Sequence, residues 1–210
     1  MGSEQHGTTR VEAASNALNG VFCLEGEWDR DLRGRRSVEP ILELLERLEA
    51  IRYIHRDVAT VEELQYYVDR WQERPYDRYR VLYLAMHGDT GCVDLGRDSL
   101  DLNSLGEVLE GKCSGSIVYF GSCLTMVGDG QALTDFVKQT GALAAVGYTQ
   151  EIEWVQSSSF DVVLLEQLTR HLGDGRRTDY IFRRLTEQHG DYARDLGLTI
   201  AAKTRVYYAE

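Results

Sequence analysis

Val81-Leu82-Tyr83-Leu84-Ala85-Met86-His87-Gly88 and Ile117-Val118-Tyr119-Phe120-Gly121-Ser122-Cys123-Leu124 are two short apolar runs, each followed by a small or polar turn. An apolar run without alternation suits a strand buried on both faces of a parallel sheet. Ligands of such sheets sit in the crevice beyond the carboxyl ends of the strands. Neighbouring strands lie about 4.8 Å apart, so His87 and Cys123, at two such ends, can converge on one site. A cysteine nucleophile with a histidine base is the chemistry this pairing suggests.

Outward from this pair, strand and helix patterns alternate. Residues 20–24 read as a first strand, followed by a charged loop over 25–36. Ser37 is the expected cap of a helix whose apolar stripe is Ile41, Leu44, Leu45 and Leu48. A second strand is expected over 51–55. Thr60 and Glu63 form a capping box for a helix that buries Val61, Leu64, Val68 and Trp71. Strands over 81–86 and 117–120 flank a small hairpin in 92–102 and a short helix near 105–109. A helix over 130–139 and a strand over 142–146 follow, then a loop through Trp154. Ser158 is the expected cap of a helix over 160–168. A helix over 179–188 and a last strand or two within 198–208 complete the pattern. Alternation of this kind predicts an α/β fold: a mostly parallel central sheet with helices on both faces. One domain is expected over 20–210, behind a loose leader over 1–19.

The bulk numbers narrow the function classes. The chain has 210 residues, enough for one α/β domain with a full core. A formal charge of −11 argues against general nucleic-acid binding, which needs a basic face. No apolar stretch reaches the length of a membrane span, and no signal-peptide core is visible. Cys23, Cys92, Cys113 and Cys123 show neither CxxC spacing nor a disulfide framework. A reducing cytoplasm is the expected setting. GxGxxG, Walker A and GxSxG patterns are absent, which disfavours nucleotide binding and a serine nucleophile at Ser122. His87, Asp89, Cys92 and Asp94 form a mixed ligand set without a recognised metal spacing. No metal or organic cofactor is expected.

With His87-Gly88 at one strand end and Gly121-Ser122-Cys123 at the other, the chain resembles the caspase-like cysteine peptidases. Within that group it is most similar to the bacterial CHAT and clostripain type. The two motifs are 36 positions apart (123 minus 87), and a hairpin and helix fit between them. Cys123-Leu124-Thr125-Met126 looks like the nucleophile loop of those relatives. The run from Gly141 to Tyr148, Trp154, and the helix after Ser158 are similar to the segment that follows the cysteine there. The resemblance spans about residues 21–168.

It implies a three-layer fold and a cysteine endopeptidase. In that reading Cys123 attacks, His87 is the base, and the amides of Gly88 and Cys123 hold the oxyanion. The setting it implies is regulated proteolysis, defence or cell death, with a protein or peptide substrate. An activating protein or dimerisation is part of that picture.

Substrate preference stays open at this level. Arg33, Arg35 and Arg36 lie where caspases hold an arginine that grips an acidic side chain, and a guanidinium suits that task. Many CHAT, clostripain and metacaspase relatives instead take basic residues in an acidic pocket. Glu151, Glu153, Asp129, Glu25 and Glu27 are candidates for one, with Trp154 as a pocket wall. Asp89 is a candidate to orient the imidazole. The rival reading is a silent caspase-like sensor or interaction module.

Overall fold

A computed structural model describes residues 19–172 and 178–209. The leader expected over 1–19 lies outside the described residues except for Asn19, whose side-chain amide donates to the Thr169 carbonyl at 2.9 Å.

Four of the apolar runs form the parallel core of a seven-stranded sheet. They are β1 (Gly20–Glu25), β3 (Val81–Ala85), β7 (Ile117–Phe120) and β8 (Ala144–Tyr148), all buried along their length. Beside β1 lies β2 (Arg52–Asp57), half-buried at the edge. At the far side β9 (Leu198–Ala201) and β10 (Val206–Tyr208) run antiparallel. The order is β10-β9-β8-β7-β3-β1-β2. Because β2 and β3 flank β1 on opposite sides, the sheet has a switch point there, where a crevice opens at the carboxyl edge.

Six α-helices occur among the described residues: α1 (Glu39–Arg47), α2 (Val61–Trp71), α3 (Leu102–Val108), α4 (Gly130–Thr140), α5 (Trp154–His171) and α6 (Thr178–Asp195). Alternate residues of each strand feed two cores. Val21 and Cys23 pack with Leu42 and Leu45 of α1, Leu164 of α5 and Leu185 of α6. Phe22 and Leu24 pack with Leu64 of α2, Leu105 of α3 and Phe136 of α4. Helices therefore cover both faces, as the alternating pattern predicts. None of the described helices is long and apolar enough to cross a membrane.

Several boundaries move from the sequence reading. Glu153, not Ser158, caps α5: its carboxylate accepts from Val155 N and Gln156 N. Trp154 therefore opens the helix instead of ending a loop. The expected Ser37 cap shifts by one, with Val38 at the cap position and Ser37 Oγ accepting from Glu39 N. In the 60–63 box, Thr60 accepts from Glu63 N, while Glu63 reaches back to Ala59 N. α6 runs past 188 to Asp195, with a kink at His189. Between β3 and β7 a small three-stranded sheet forms from β4 (His87–Asp89), β5 (Cys92–Asp94) and β6 (Ser99–Asp101). Its first strand carries His87 out over the sheet edge.

Candidate active site

β3 ends one residue before Met86, and the chain turns there into β4, so His87 sits exposed at the carboxyl edge. β7 pairs with β3 in parallel, Leu84 opposite Phe120. The segment Gly121-Ser122-Cys123 therefore leaves the sheet beside His87. The two backbones touch. A Cβ built on Gly88 would fall on the Cys123 carbonyl oxygen and 2.7 Å from Thr125 Oγ1, so only glycine fits there.

The Cys123 turn is held from several sides. Leu124 adopts φ +55°, a left-handed conformation that costs a branched residue about 1–2 kcal/mol. Leu124 N donates to Gln150 O, Met126 N to Tyr148 O and Gly91 N to Leu124 O. Ser122 is buried, with its hydroxyl 2.6 Å from Thr125 Oγ1. Strain fixed this firmly is characteristic of sites that present a side chain.

The half-buried Cys123 Sγ accepts the Ile152 N–H at 3.4 Å and lies 3.9 Å from the Ile152 carbonyl. Among the described residues the Cys123 amide donates to no protein acceptor. The other thiols differ. Burial, reinforced by the carboxylates of Glu25 and Asp161, pushes Cys23 well above the usual thiol range. Burial pushes Cys113 up to about 12. Both stay protonated and closed to solvent.

His87 is oriented by a backbone atom. Its Nε2 lies 2.8 Å from the carbonyl oxygen of Trp28. A carbonyl only accepts, so Nε2 carries a proton, and in the neutral tautomer this leaves Nδ1 as the acceptor. The Trp28 indole meets the imidazole edge-on at 5.1 Å and the Trp154 indole at 4.7 Å. Asp89 accepts from Thr90 N, and no hydrogen bond joins it to the imidazole among the described residues. No hydrogen bond joins imidazole and thiol among the described residues.

His87 and Cys123 share the walls of two cavities. One, about 600 Å³, lies on the hairpin side and is lined by Gly88, Asp89, Cys92, Asp94 and Glu151. The other, about 320 Å³, lies on the α5 side and is lined by Trp28, Arg36, Tyr83, Tyr148, Glu153, Trp154 and Asp161. Of the sequence candidates, Glu151 faces the first, and Arg36, Glu153 and Trp154 face the second. Arg36 is half-exposed and 3.6 Å from Asp29. Glu25 and Glu27 line a third cavity beside β2, together with Asp57 and Arg36. Asp129 caps α4 by accepting from Gln131 N and lines none of these cavities. Arg33 pairs with Asp31 at the surface.

Asp161 is the residue the sequence reading missed. It is 4% exposed. Tyr83 OH donates to its Oδ2 at 2.8 Å, and the hydroxyls of Tyr119 and Tyr148 reach Oδ1. Burial raises the carboxyl to about 6, against the pull of these three hydroxyls. Every donor is neutral, and no ion pair reaches Asp161 among the described residues. Its signal was readable: Asp161 shares a helical face with Leu164, Leu165 and Leu168, all buried.

A family model matches residues 19–201, from the residue before β1 to the end of β9. The chain belongs to DUF6642, a family of unknown function. No curated protein matches it. The β3–β4 junction, the Cys123 turn, the Trp28 loop and Asp161 all fall inside the DUF6642 match. Among the described residues, one group of three side chains brings metal-type ligand atoms within 4.8 Å: Glu25, His55 and Asp57. Both oxygens of Glu25 are already taken by protein donors.

Proposed function

We propose that this chain is a caspase-like cysteine endopeptidase acting through Cys123 and His87. The observation that carries the reading is that His87 and Cys123 both line the same two cavities. A peptide laid across the pair places residues in both.

The chemistry follows from the tautomer. Nε2–H bonded to Trp28 leaves Nδ1 to take the Cys123 proton. The thiolate attacks the scissile carbonyl carbon, and the carbonyl oxygen becomes an oxyanion. The amides of Cys123 and Gly88 are its donors. Nδ1–H then protonates the departing amine, leaving an acyl group on Sγ. Water, deprotonated at Nδ1, releases the acid and restores the thiol. Neither metal nor organic cofactor enters these steps.

The side-chain pocket is read as selective for a cationic residue. Arg36 is half-exposed and already has Asp29, so its field is screened by water. Asp161 is buried with no cation, and a buried charge gains most from a partner. The hairpin-side cavity adds Asp89, Asp94 and Glu151 and no Lys or Arg. An acidic-residue preference through Arg36 is thereby disfavoured. The second reading, a silent interaction module, draws on the missing imidazole–thiol hydrogen bond. Apo dyads are often loose, so that bond is not required.

The test is a positional peptide library cleaved by the full chain, with Cys123→Ala as control. Cleavage beside Lys or Arg that vanishes in the control supports the reading. Absence of any Cys123-dependent cleavage or acylation by a basic peptidyl electrophile favours the silent module. A cytoplasmic setting and an activating partner belong to the same proposal.

A further inference from the structure

The Trp28 loop that orients His87 is tied down by a buried carboxylate at the end of β1. Glu25 is 2% exposed. Its Oε1 accepts the Trp28 indole N–H at 2.5 Å and the Val38 amide at 2.7 Å. Its Oε2 accepts the Ser37 hydroxyl at 2.7 Å and lies 2.5 Å from His55 Nε2. Four donors from three segments thus converge on one side chain, using both oxygens. Burial works against the charge of Glu25, but these hydrogen bonds, His55 first among them, outweigh it and lower its pKa.

His55 is the basic partner in this centre. Burial disfavours its charged form, yet the hydrogen bond and charge of Glu25, with Asp57 and Glu39, raise its pKa overall. Asp57 Oδ1 is 4.0 Å from Nε2, and Glu39 Oε1 is 3.9 Å from Nδ1. Neither Glu25 nor His55 lines the substrate cavities, but Trp28 and Val38, both bonded to Glu25, line the second.

We infer that Glu25, paired with His55, is a positioning residue for His87, acting through Trp28. The argument is one of connection. The same tryptophan gives its indole N–H to Glu25 and its carbonyl oxygen to His87, at 2.5 and 2.8 Å. Its ring also packs edge-on against the imidazole at 5.1 Å. A loop tied at only its ends would leave that carbonyl free to rotate, and the imidazole would lose its fixed tautomer. Gly26 N, bonded to Ala85 O, and Glu27 N, bonded to Leu95 O, anchor the start of the loop alone. Glu25 supplies the anchor at the tryptophan itself. This inference rests on the peptidase reading and deepens it.

The experiment is the rate of alkylation of Cys123 by iodoacetamide from pH 5 to 9, followed by peptide mass spectrometry on the folded full chain. It needs no substrate. Buried Cys23 and Cys113 serve as internal blanks. Wild type is compared with His87→Ala, Glu25→Gln and Trp28→Phe, each checked for melting temperature. Glu25→Gln removes the charge and replaces one acceptor oxygen with a donor, which faces either Ser37 and His55 or Trp28 and Val38. Trp28→Phe removes the indole N–H, keeps the backbone carbonyl and an aromatic face, and trims the ring that packs on His87 and Trp154.

The expected result is His87-dependent labelling of wild type at pH 6. It falls about tenfold in Glu25→Gln, with the profile moved toward that of His87→Ala, because misplacing a catalytic group by an ångström costs that much or more. Trp28→Phe shifts it in the same direction. A purely structural Glu25 would lower the melting temperature and leave the pH profile in place, which overturns the positioning role while the dyad stands. Should Glu25→Gln fail to fold, an unchanged profile in Trp28→Phe overturns it equally. If wild type and His87→Ala share one profile, the dyad itself fails and the positioning role fails with it.

Discussion

The carbonyl oxygen of Trp28 lies 2.8 Å from His87 Nε2, 59 residues away in sequence. This contact leaves Nδ1 as the ring nitrogen without a backbone partner, and it links the imidazole to the β1 loop and Glu25.

Removal of the base is the direct test of that assignment. His87→Ala lowers kcat/KM on a basic peptide by about 10²–10⁴-fold, the range for a positioned general base. Cys123→Ala abolishes turnover and leaves the melting temperature near wild type. Retained turnover in either variant would remove the dyad from the mechanism.

Gly88→Ala tests the contact between the two loops. The new methyl meets the Cys123 carbonyl and Thr125 Oγ1, and overpacking of this kind costs about 1–3 kcal/mol. Unfolding in urea measures that loss. If the fold stays intact, turnover falls by about 10²-fold as the Gly88 amide leaves the oxyanion position. Unchanged stability and turnover would show that the two loops separate freely.

On the proposed peptidase reading, Asp161 links substrate charge to pH. Its folded pKa, about 6, lies above the ordinary carboxylate value, so the native state holds the proton longer than the unfolded chain. Its contribution to stability therefore declines as pH rises from about 4 to about 6. A bound cation stabilises the ionised form, so KM for a Lys or Arg peptide falls as pH rises through about 6. Asp161→Asn flattens the KM profile and erases the preference for basic over neutral peptides. A variant that keeps that preference would place the cation site elsewhere.

The Glu25–His55 pair has the opposite arrangement, with each pKa moved to favour charge. The lowered pKa of Glu25 makes its contribution present above the ordinary carboxylate value and lost as pH falls through the depressed one. The raised pKa of His55 makes its contribution complete below about 6.5 and lost as pH rises through the elevated value. Both are present between about pH 4.5 and 6.5. Urea denaturation across this range locates the maximum. His55→Gln should remove the decline on the alkaline side; a decline that persists would assign it to another group.

How much was legible depended on range. The apolar runs at 81–86 and 117–120 marked β3 and β7 because a strand buried on both faces has no polar alternation to obscure it. The 158 cap was misplaced because Ser158 and Glu153 both precede apolar helical periodicity. Only the carboxylate reaches the free Val155 and Gln156 amides. Asp161 and Glu25 were visible as carboxylates in apolar positions, yet their partners were not. Tyr83 and Tyr148 reach Asp161 from β3 and β8, and His55 reaches Glu25 from β2.

By itself the sequence determined the class of fold, the succession of strands and helices, and the placement of His87 and Cys123 at two strand ends. Periodicity and turn chemistry are local, so they survive in one dimension. Tertiary structure alone decided that Trp28 orients His87, that Asp161 floors the pocket, and that Glu25 holds the loop between them. A backbone carbonyl leaves no trace in residue identity. The partners of a buried carboxylate are chosen by the crossovers that bring β2, β3, β7 and β8 beside it.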